Sequence, residues 1–333
     1  MKLYKKNILL TGGAGFIGSH LADLLIQEGC HLRIVDNLVN GNMRNLIQHE
    51  GNNHYEFVRG DITEPSTASL VVKDVDIVFH LACLGVRHSI SNPFENHKVN
   101  AEGTLTLLQE AFKSKIDKFI HCSSSEVYGP AFVVPMQETH PTFPCTIYGA
   151  SKLAGEAYAR SFYRTYGFKT VILRPFNTYG PRSHYEGNAG EFIPKSIIRA
   201  INGNPILIFG NGNQTRDFTF VEDMAKAIVE AAKYDNMIGN TYNIGSNFEI
   251  SIKNLAEKIL LLSGSKSGHI EYLSNRPGDV VRLYADPSAF SRLTKWEPNT
   301  NLEEGIIKTI NWFNSSPESL STMLIKEKGI NWE

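Results

Sequence analysis

A phenol, an ammonium and a hydroxyl occur close together in the sequence, and together they could carry a proton transfer. Tyr148 and Lys152 are four residues apart where a helical pattern begins, so both side chains point to one helix face. Ser124 follows the short apolar run Lys118-Phe119-Ile120-His121, which places it at the C-terminal end of a strand. The Lys152 ammonium would favour a Tyr148 phenolate, and Ser124 could hydrogen-bond the reacting oxygen. Taken alone, Tyr-x-x-x-Lys also describes a surface pair on an ordinary helix. The segments upstream decide between the two.

Gly12, Gly15 and Gly18 form a GxxGxxG pattern directly after the apolar run Asn7 to Leu10, with Phe16 and Ile17 at the helix start. Such glycines allow a tight turn and close backbone approach, and the helix N-terminus presents free N–H groups to a pyrophosphate. The next strand, His31 to Val35, is terminated by Asp36. An acidic residue there accepts hydrogen bonds from adenosine ribose hydroxyls and repels a 2′-phosphate. Asn37-Leu38-Val39-Asn40 offers no arginine for such a phosphate, so NAD is expected over NADP. Asp61 fits either an adenine contact or a turn or helix cap. Asn37, Ile62, Leu81, Ala82 and Pro175 are assigned to cofactor binding with it.

These residues need a scaffold that alternates strand and helix. Short apolar runs at Tyr55 to Val58, Asp76 to His80, Lys118 to His121 and Lys169 to Leu173 add four strands to the first two. Helical patterns lie between them, clearest at Asn96 to Lys113 and Thr146 to Tyr166. The spacing predicts an α/β fold, a Rossmann-type doubly wound parallel sheet, over residues 1–175. Beyond Arg174, Pro and Gly punctuate an irregular segment, and shorter helices and strands mix (192–201, 206–209, 221–233, 251–262). This predicts a smaller mixed α/β substrate lobe over 176–315, packed over the sheet's C-terminal edge. Residues 316–333 are weakly patterned and are read as a tail.

The 333 residues carry 33 Lys plus Arg against 34 Asp plus Glu, a balance that argues against nucleic acid or an anionic membrane as partner. No apolar run approaches the ~20 residues of a membrane span. The N-terminus leads straight into a strand without a signal-peptide pattern, and the four cysteines (Cys30, Cys83, Cys122, Cys145) show no CxxC. Buried free thiols in a reducing cytoplasm, and no metal, are the expectation.

With Gly12/Gly15/Gly18, His80-Leu81-Ala82, Ser124 and Tyr148/Lys152 in this order, the chain resembles the extended short-chain dehydrogenases/reductases. More narrowly, it is similar to the nucleotide-sugar epimerases and dehydratases over about residues 5–315. Arg174-Pro175-Phe176-Asn177-Thr178-Tyr179-Gly180-Pro181-Arg182, Gln214-Thr215-Arg216-Asp217-Phe218 and Arg276-Pro277-Gly278-Asp279 strengthen the likeness. The resemblance implies that Asn177, Arg216 and Arg276 hold a substrate diphosphate, which suits the guanidinium fork. It also implies that Tyr148 takes the proton of a sugar 4-hydroxyl while the C4 hydride passes to the nicotinamide. Ser124 would steady that oxygen, and Lys152 would bind the nicotinamide ribose. A 4-keto sugar results, and the hydride is returned later.

The second half of the reaction is less determined. Leu84-Gly85-Val86-Arg87-His88-Ser89, Asn92-Pro93 and Tyr148-Gly149 are similar to many 4-epimerases. Arg87 is read as a phosphate or structural contact at the substrate. Glu126, however, occupies the position where 4,6-dehydratases and sugar-nucleotide decarboxylases carry a glutamate able to take the C5 proton. The aspartate that accompanies it in dTDP-glucose-type dehydratases is here Ser125, which the GDP-mannose kind tolerates. His184 stands where uronate 4-epimerases often carry a second arginine. The surrounding motifs favour a 4-epimerase, with a 4,6-dehydratase as the alternative and a UDP-uronate decarboxylase further behind. A non-catalytic NAD sensor, or a reductase exchanging NAD(H) each turnover, are the readings from other classes. The two long helices resemble the pair that builds a four-helix homodimer interface in this group.

Overall fold

The computed structural model describes residues 2–332. Six strands open the chain: Asn7–Thr11 (β1), His31–Asp36 (β2), Tyr55–Arg59 (β3), Ile77–His80 (β4), Lys118–Cys122 (β5) and Thr170–Pro175 (β6). Asn177–Tyr179 (β7), Ile206–Phe209 (β8), Thr215–Phe220 (β9) and Thr241–Ile244 (β10) follow. One seven-stranded, wholly parallel sheet runs in the order β10-β6-β5-β4-β1-β2-β3. β4 and β5 are buried along their whole length, as strands covered by helices on both faces must be. The strand order reverses beside β1, and the loops after β1 and β4 open the crevice where doubly wound folds take ligands.

The sheet draws on the second half of the chain. β10 pairs with β6 in parallel register, Tyr242 opposite Leu173. The helix Val221–Lys233 sends Met224, Ala227, Ile228 and Ala231 into the same core as Leu21 and Leu25, and Phe290 and Trp296 join them. A division at residue 175 therefore misses a strand and two packed segments. β10, Thr241-Tyr242-Asn243-Ile244, lacks the continuous apolar run that marks the equally short β4, Ile77-Val78-Phe79-His80.

The remaining strands, Glu249–Ser251 (β11), Ile270–Leu273 (β12) and Arg282–Leu283 (β13), build two small sheets. β9 pairs with β7, β11 and β13, and β8 pairs with β12. Ile193, Ile197, Ile206, Ile259, Ile310 and Phe313 fill the core of this lobe. The weakly patterned tail is ordered over its described residues. Ser319 caps a helix Leu320–Lys326, and Met323 is buried in the lobe's core. Leu320 and Leu324 pack beside Met323 at helical spacing, but two turns are too short for that pattern to stand out in sequence, so packing orders them.

The Ile147–Tyr166 helix carries Tyr148 in its first turn. Thr146 caps it by accepting from Gly149 N at 3.1 Å, and Gly167, at φ +68°, ends it.

Candidate active site

The β1 loop leaves no room for side chains where a pyrophosphate would lie. Gly12 sits at φ +71°, and a Cβ on it would lie 2.8 Å from the Ala82 backbone. A Cβ on Gly18 would lie 2.2 Å from the Gly12 carbonyl oxygen. Behind them Thr11 Oγ1 accepts from Leu81 N at 3.2 Å and Ala82 N at 3.1 Å, which joins the β1 and β4 loops. Asp36 accepts from Ala14 N at 3.0 Å and Leu38 N at 2.8 Å, so its carboxylate is fixed at the crevice edge. Asp61 accepts from Asn37 Nδ2 at 3.2 Å and Thr63 N at 2.8 Å. That turn role leaves Asn37 and Asp61 both lining the cleft. The cradle, the free helix N-terminus and the acidic edge fit a dinucleotide without a 2′-phosphate.

Ser124, Tyr148 and Lys152 border the same cleft. Lys152 is buried, and its ammonium donates to the Cys122 carbonyl at 2.5 Å, which ties the helix to the end of β5. Ser124 caps the short turn Ser125–Val127 by accepting from Glu126 N at 3.2 Å. Burial holds the Tyr148 phenol well above its ordinary pKa, and the neighbouring Cys83 adds to this. A hydrogen bond with Ser124 works the other way, while the charges of Glu126 and Glu191 raise it further. The phenol therefore stays protonated unless positive charge is brought to it.

Glu126 faces a cationic wall. Burial raises its carboxyl, and the guanidiniums of Arg216, Arg276 and Arg87 oppose that rise. Asp279 organises the first two: its Oδ1 accepts from Arg216 Nη2 at 2.7 Å and from Arg276 Nη2 at 2.6 Å. Arg87 lies 3.8 Å from Glu191. Asn177 turns a buried Oδ1 with no hydrogen-bond partner toward this region. Such an acceptor suits a donor from a ligand. Ser125 is buried beside Glu126 and puts a hydroxyl where a second acid would stand.

All the residues singled out in the sequence for cofactor, substrate or catalysis line one continuous cleft. Two residues that support the cleft from behind its lining are given no role by the sequence motifs. Asn100 accepts from Leu84 N at 2.8 Å and donates to Leu84 O at 2.9 Å and Ser151 Oγ at 3.1 Å. It thereby clamps the 81–85 loop against the helix of Tyr148. Asn100 lies in a π-helical turn, Lys98–Glu102, within the predicted helix from Asn96 to Lys113. An asparagine in a helical run reads as surface, so only the fold exposes this role. Asp279 was visible in the Arg-Pro-Gly-Asp segment, and its carboxylate three residues after Arg276 was the available signal.

A family model described as GDP-mannose 4,6 dehydratase matches residues 9–309. The chain belongs to the extended short-chain dehydrogenase/reductase family of nucleotide-sugar epimerases and dehydratases. A putative UDP-glucose 4-epimerase of Methanocaldococcus jannaschii is 39% identical, covering 93% of this chain and 99% of that protein. Among solved structures, UDP-N-acetylglucosamine 4-epimerase of Methanobrevibacter ruminantium, in complex with UDP-N-acetylmuramic acid, is 35% identical with TM-score 0.88. That match covers 94% of this chain and 99% of that one. UDP-glucuronic acid 4-epimerase of Bacillus cereus, in complex with UDP-glucuronic acid and NAD, is 33% identical with TM-score 0.86, covering 92% and 98%. As in that family, the chain is an enzyme. Among the described residues no helix is long and apolar enough to cross a membrane, and no His/Cys/Asp/Glu group is arranged to hold a metal ion.

Proposed function

We propose that this enzyme is an NAD-dependent nucleotide-sugar 4-epimerase. The observation that carries the reading is the joining of Ser124, Tyr148 and Lys152 to the glycine cradle and Asp36 in one cleft whose other end is lined by Arg87, Arg216 and Arg276. Three guanidiniums suit a diphosphate, and the phenol shares the cleft with them and with the cradle.

NAD, held by Gly12, Gly15, Gly18, Asp36 and Lys152, supplies a hydride acceptor that later returns the hydride, and a positive charge that favours the Tyr148 phenolate. Tyr148 accepts the proton of the sugar 4-hydroxyl as its C–O bond becomes a carbonyl, and gives it back when the carbonyl is reduced. Ser124 donates to that oxygen in the keto form. Lys152, anchored on Cys122, fixes the register of the phenol one helical turn away. Epimerisation then requires only that the 4-keto sugar present its other face before reduction, so no group has to expel a hydroxyl. Ser125, in the position of a dehydratase acid, fits that requirement. The relatedness to 4-epimerases in sequence and structure supports it further.

A second reading rests on Glu126. Its carboxyl lies in the same cleft, is pushed up by burial and adds to the Tyr148 field. It could take the C5 proton of the 4-keto intermediate, with elimination of water. Mass analysis of products from UDP-, GDP-, CDP- and dTDP-sugars separates the two. A mass-neutral, chromatographically distinct product is expected. Loss of water would replace the reading with a 4,6-dehydratase, and loss of carbon dioxide with a decarboxylase.

We also infer a homodimer. Phe94, Leu105, Tyr163 and Tyr166 are exposed on the paired helical segments around 93–113 and 147–166. A second copy would cover them.

A further inference from the structure

Beyond the diphosphate-facing arginines the cleft continues into a second pocket that shares Arg87, Asn177, Arg216 and Arg276 with it. Its lining includes an apolar group: Phe192, Leu207 and Phe209 come from the lobe, and Trp332 from the segment after the last helix. Trp332 meets Phe209 edge to face, with ring centroids 4.5 Å apart at 75°. We propose that the C-terminal strap, residues 327–332, completes the nucleoside subsite, and that Trp332 is a specificity-determining wall of it.

The strap is built in rather than draped over the surface. Glu327 is buried and pairs with Lys195 at 3.1 Å and Arg199 at 2.9 Å. Lys195 Nζ also donates to the carbonyls of Lys328 and Gly329, the latter at 3.0 Å. Asn331, 1% exposed, donates to Gly190 O at 2.9 Å and Gly187 O at 3.2 Å. That second anchor grips the turn whose Asn188 and Ala189 line the main cleft. Lys195 and Arg199 lie on the Phe192–Ile201 helix, which itself borders the pocket. One carboxylate and one amide thus fasten the strap ahead of the indole, Asn331 directly before it.

The geometry fixes what the pocket takes. With a diphosphate on the arginines, the sugar points toward Tyr148 and the nucleoside toward Phe192, Phe209 and Trp332. An aromatic wall with ribose-facing polar groups suits a planar base, because stacking needs only a π face. The inference rests on the nucleotide-sugar reading, and its test separates the two.

The purified holoenzyme is titrated calorimetrically with UDP, dTDP, CDP, GDP and ADP, in parallel with Trp332→Ala and Trp332→Phe. Trp332→Ala is expected to weaken the nucleoside diphosphate that binds wild type about tenfold, with Trp332→Phe between them. KM for the sugar nucleotide should rise in proportion, with a much smaller change in kcat. Unchanged affinity in Trp332→Ala, with the wild-type melting midpoint, would overturn the strap's role. If Trp332→Ala does not fold, tryptophan emission decides. Of the three tryptophans, Trp296, Trp312 and Trp332, only Trp332 lines either pocket. The nucleotide-induced emission change should therefore vanish in Trp332→Phe, and its persistence there would refute the inference. A wild-type enzyme that binds none of the five would refute the nucleotide-sugar reading itself.

Discussion

Arg216 and Arg276 meet on a single oxygen, Oδ1 of Asp279, which accepts from both guanidiniums at 2.7 and 2.6 Å. Two like charges this close repel, and the shared carboxylate is what lets them stand together before a ligand arrives. Arg216 also donates through Nη1 to the Thr215 carbonyl at 2.8 Å, which fixes the plane of its guanidinium beside the cleft.

Asp279→Asn should therefore loosen the pair without touching the reacting atoms. KM for the sugar nucleotide is expected to rise about tenfold, comparable to losing one charge-assisted hydrogen bond. kcat should fall much less. Steady-state kinetics on the product-forming substrate checks this, and an unchanged KM would remove the arginine pair from diphosphate binding.

Tyr148→Phe removes the proton acceptor and keeps the ring. Turnover should fall by about two to four orders of magnitude, the usual worth of a positioned acid–base group. The dinucleotide cradle lies on other loops, so NAD released on denaturation should match wild type. Near-wild-type turnover would refute the assignment. Release of no NAD from wild type, with strict dependence on added NADH, would instead favour a reductase.

His121 is buried beneath the site, and neither ring nitrogen has a hydrogen-bond partner. Burial holds its pKa well below 6.5, with the Lys152 charge adding to the depression. Below pH 6.5 the unfolded chain takes up a proton here that the folded chain refuses, so stability is complete above pH 6.5 and is lost as pH falls. The slope is about 1.4 kcal/mol per pH unit for one such group. Its neighbour His80, lowered to about 3, adds a like slope between pH 6.5 and 3. His20, lowered to about 4 by burial, contributes in the same direction, so His121→Leu, which loses no hydrogen bond, should reduce the wild-type slope by about one group's share and not abolish it. Urea denaturation at pH 7, 6 and 5 measures it; parallel slopes would show that His121 does not titrate on unfolding.

Much of this was readable before any coordinates. Short apolar runs such as Ile8-Leu9-Leu10, Ile77-Val78-Phe79 and Val171-Ile172-Leu173, the glycine turn and Asp36 are local features, and they announce themselves. The positions of Ser124, Tyr148 and Lys152 followed once those were placed. β10 did not, because its four residues gain their meaning from β6, some seventy residues earlier. Asn100 acts by holding other residues, and a polar side chain in a helical run gives no sign of that in sequence, whereas Asp279 leaves a trace three residues after Arg276. The strap's order depends on Glu327 meeting Lys195 and Arg199, a contact that no periodicity encodes.

The homodimer expectation can be tested on the outer face of the Gly103–Lys113 helix. Leu105 is 37% exposed there. Leu105→Glu would place a charge in the covered interface, at a cost several times that of a surface change. Light scattering should then show one chain of 37.2 kDa in place of two. A wild-type monomer would dismiss the interface.

Glu126 is where the two readings of the 4-keto sugar's fate part, and Glu126→Gln tests them directly. An epimerase has no use for a base at C5, so the variant should keep its rate within about fivefold and give the same mass-neutral product. A second effect is specific to this geometry. The Glu126 charge is among those that raise the Tyr148 phenol, so its removal should ease formation of the phenolate. The acid limb of the rate profile should accordingly move to lower pH in the variant, measured with NAD bound at saturating substrate. A dehydratase behaves otherwise. There Glu126→Gln would remove the proton acceptor, cost about two orders of magnitude or more, and leave the hydroxyl in place on a 4-keto sugar. That loss, together with a wild-type product lighter by one water, would overturn the epimerase reading while leaving Ser124, Tyr148 and Lys152 in their roles, since both reactions begin with the same oxidation at C4.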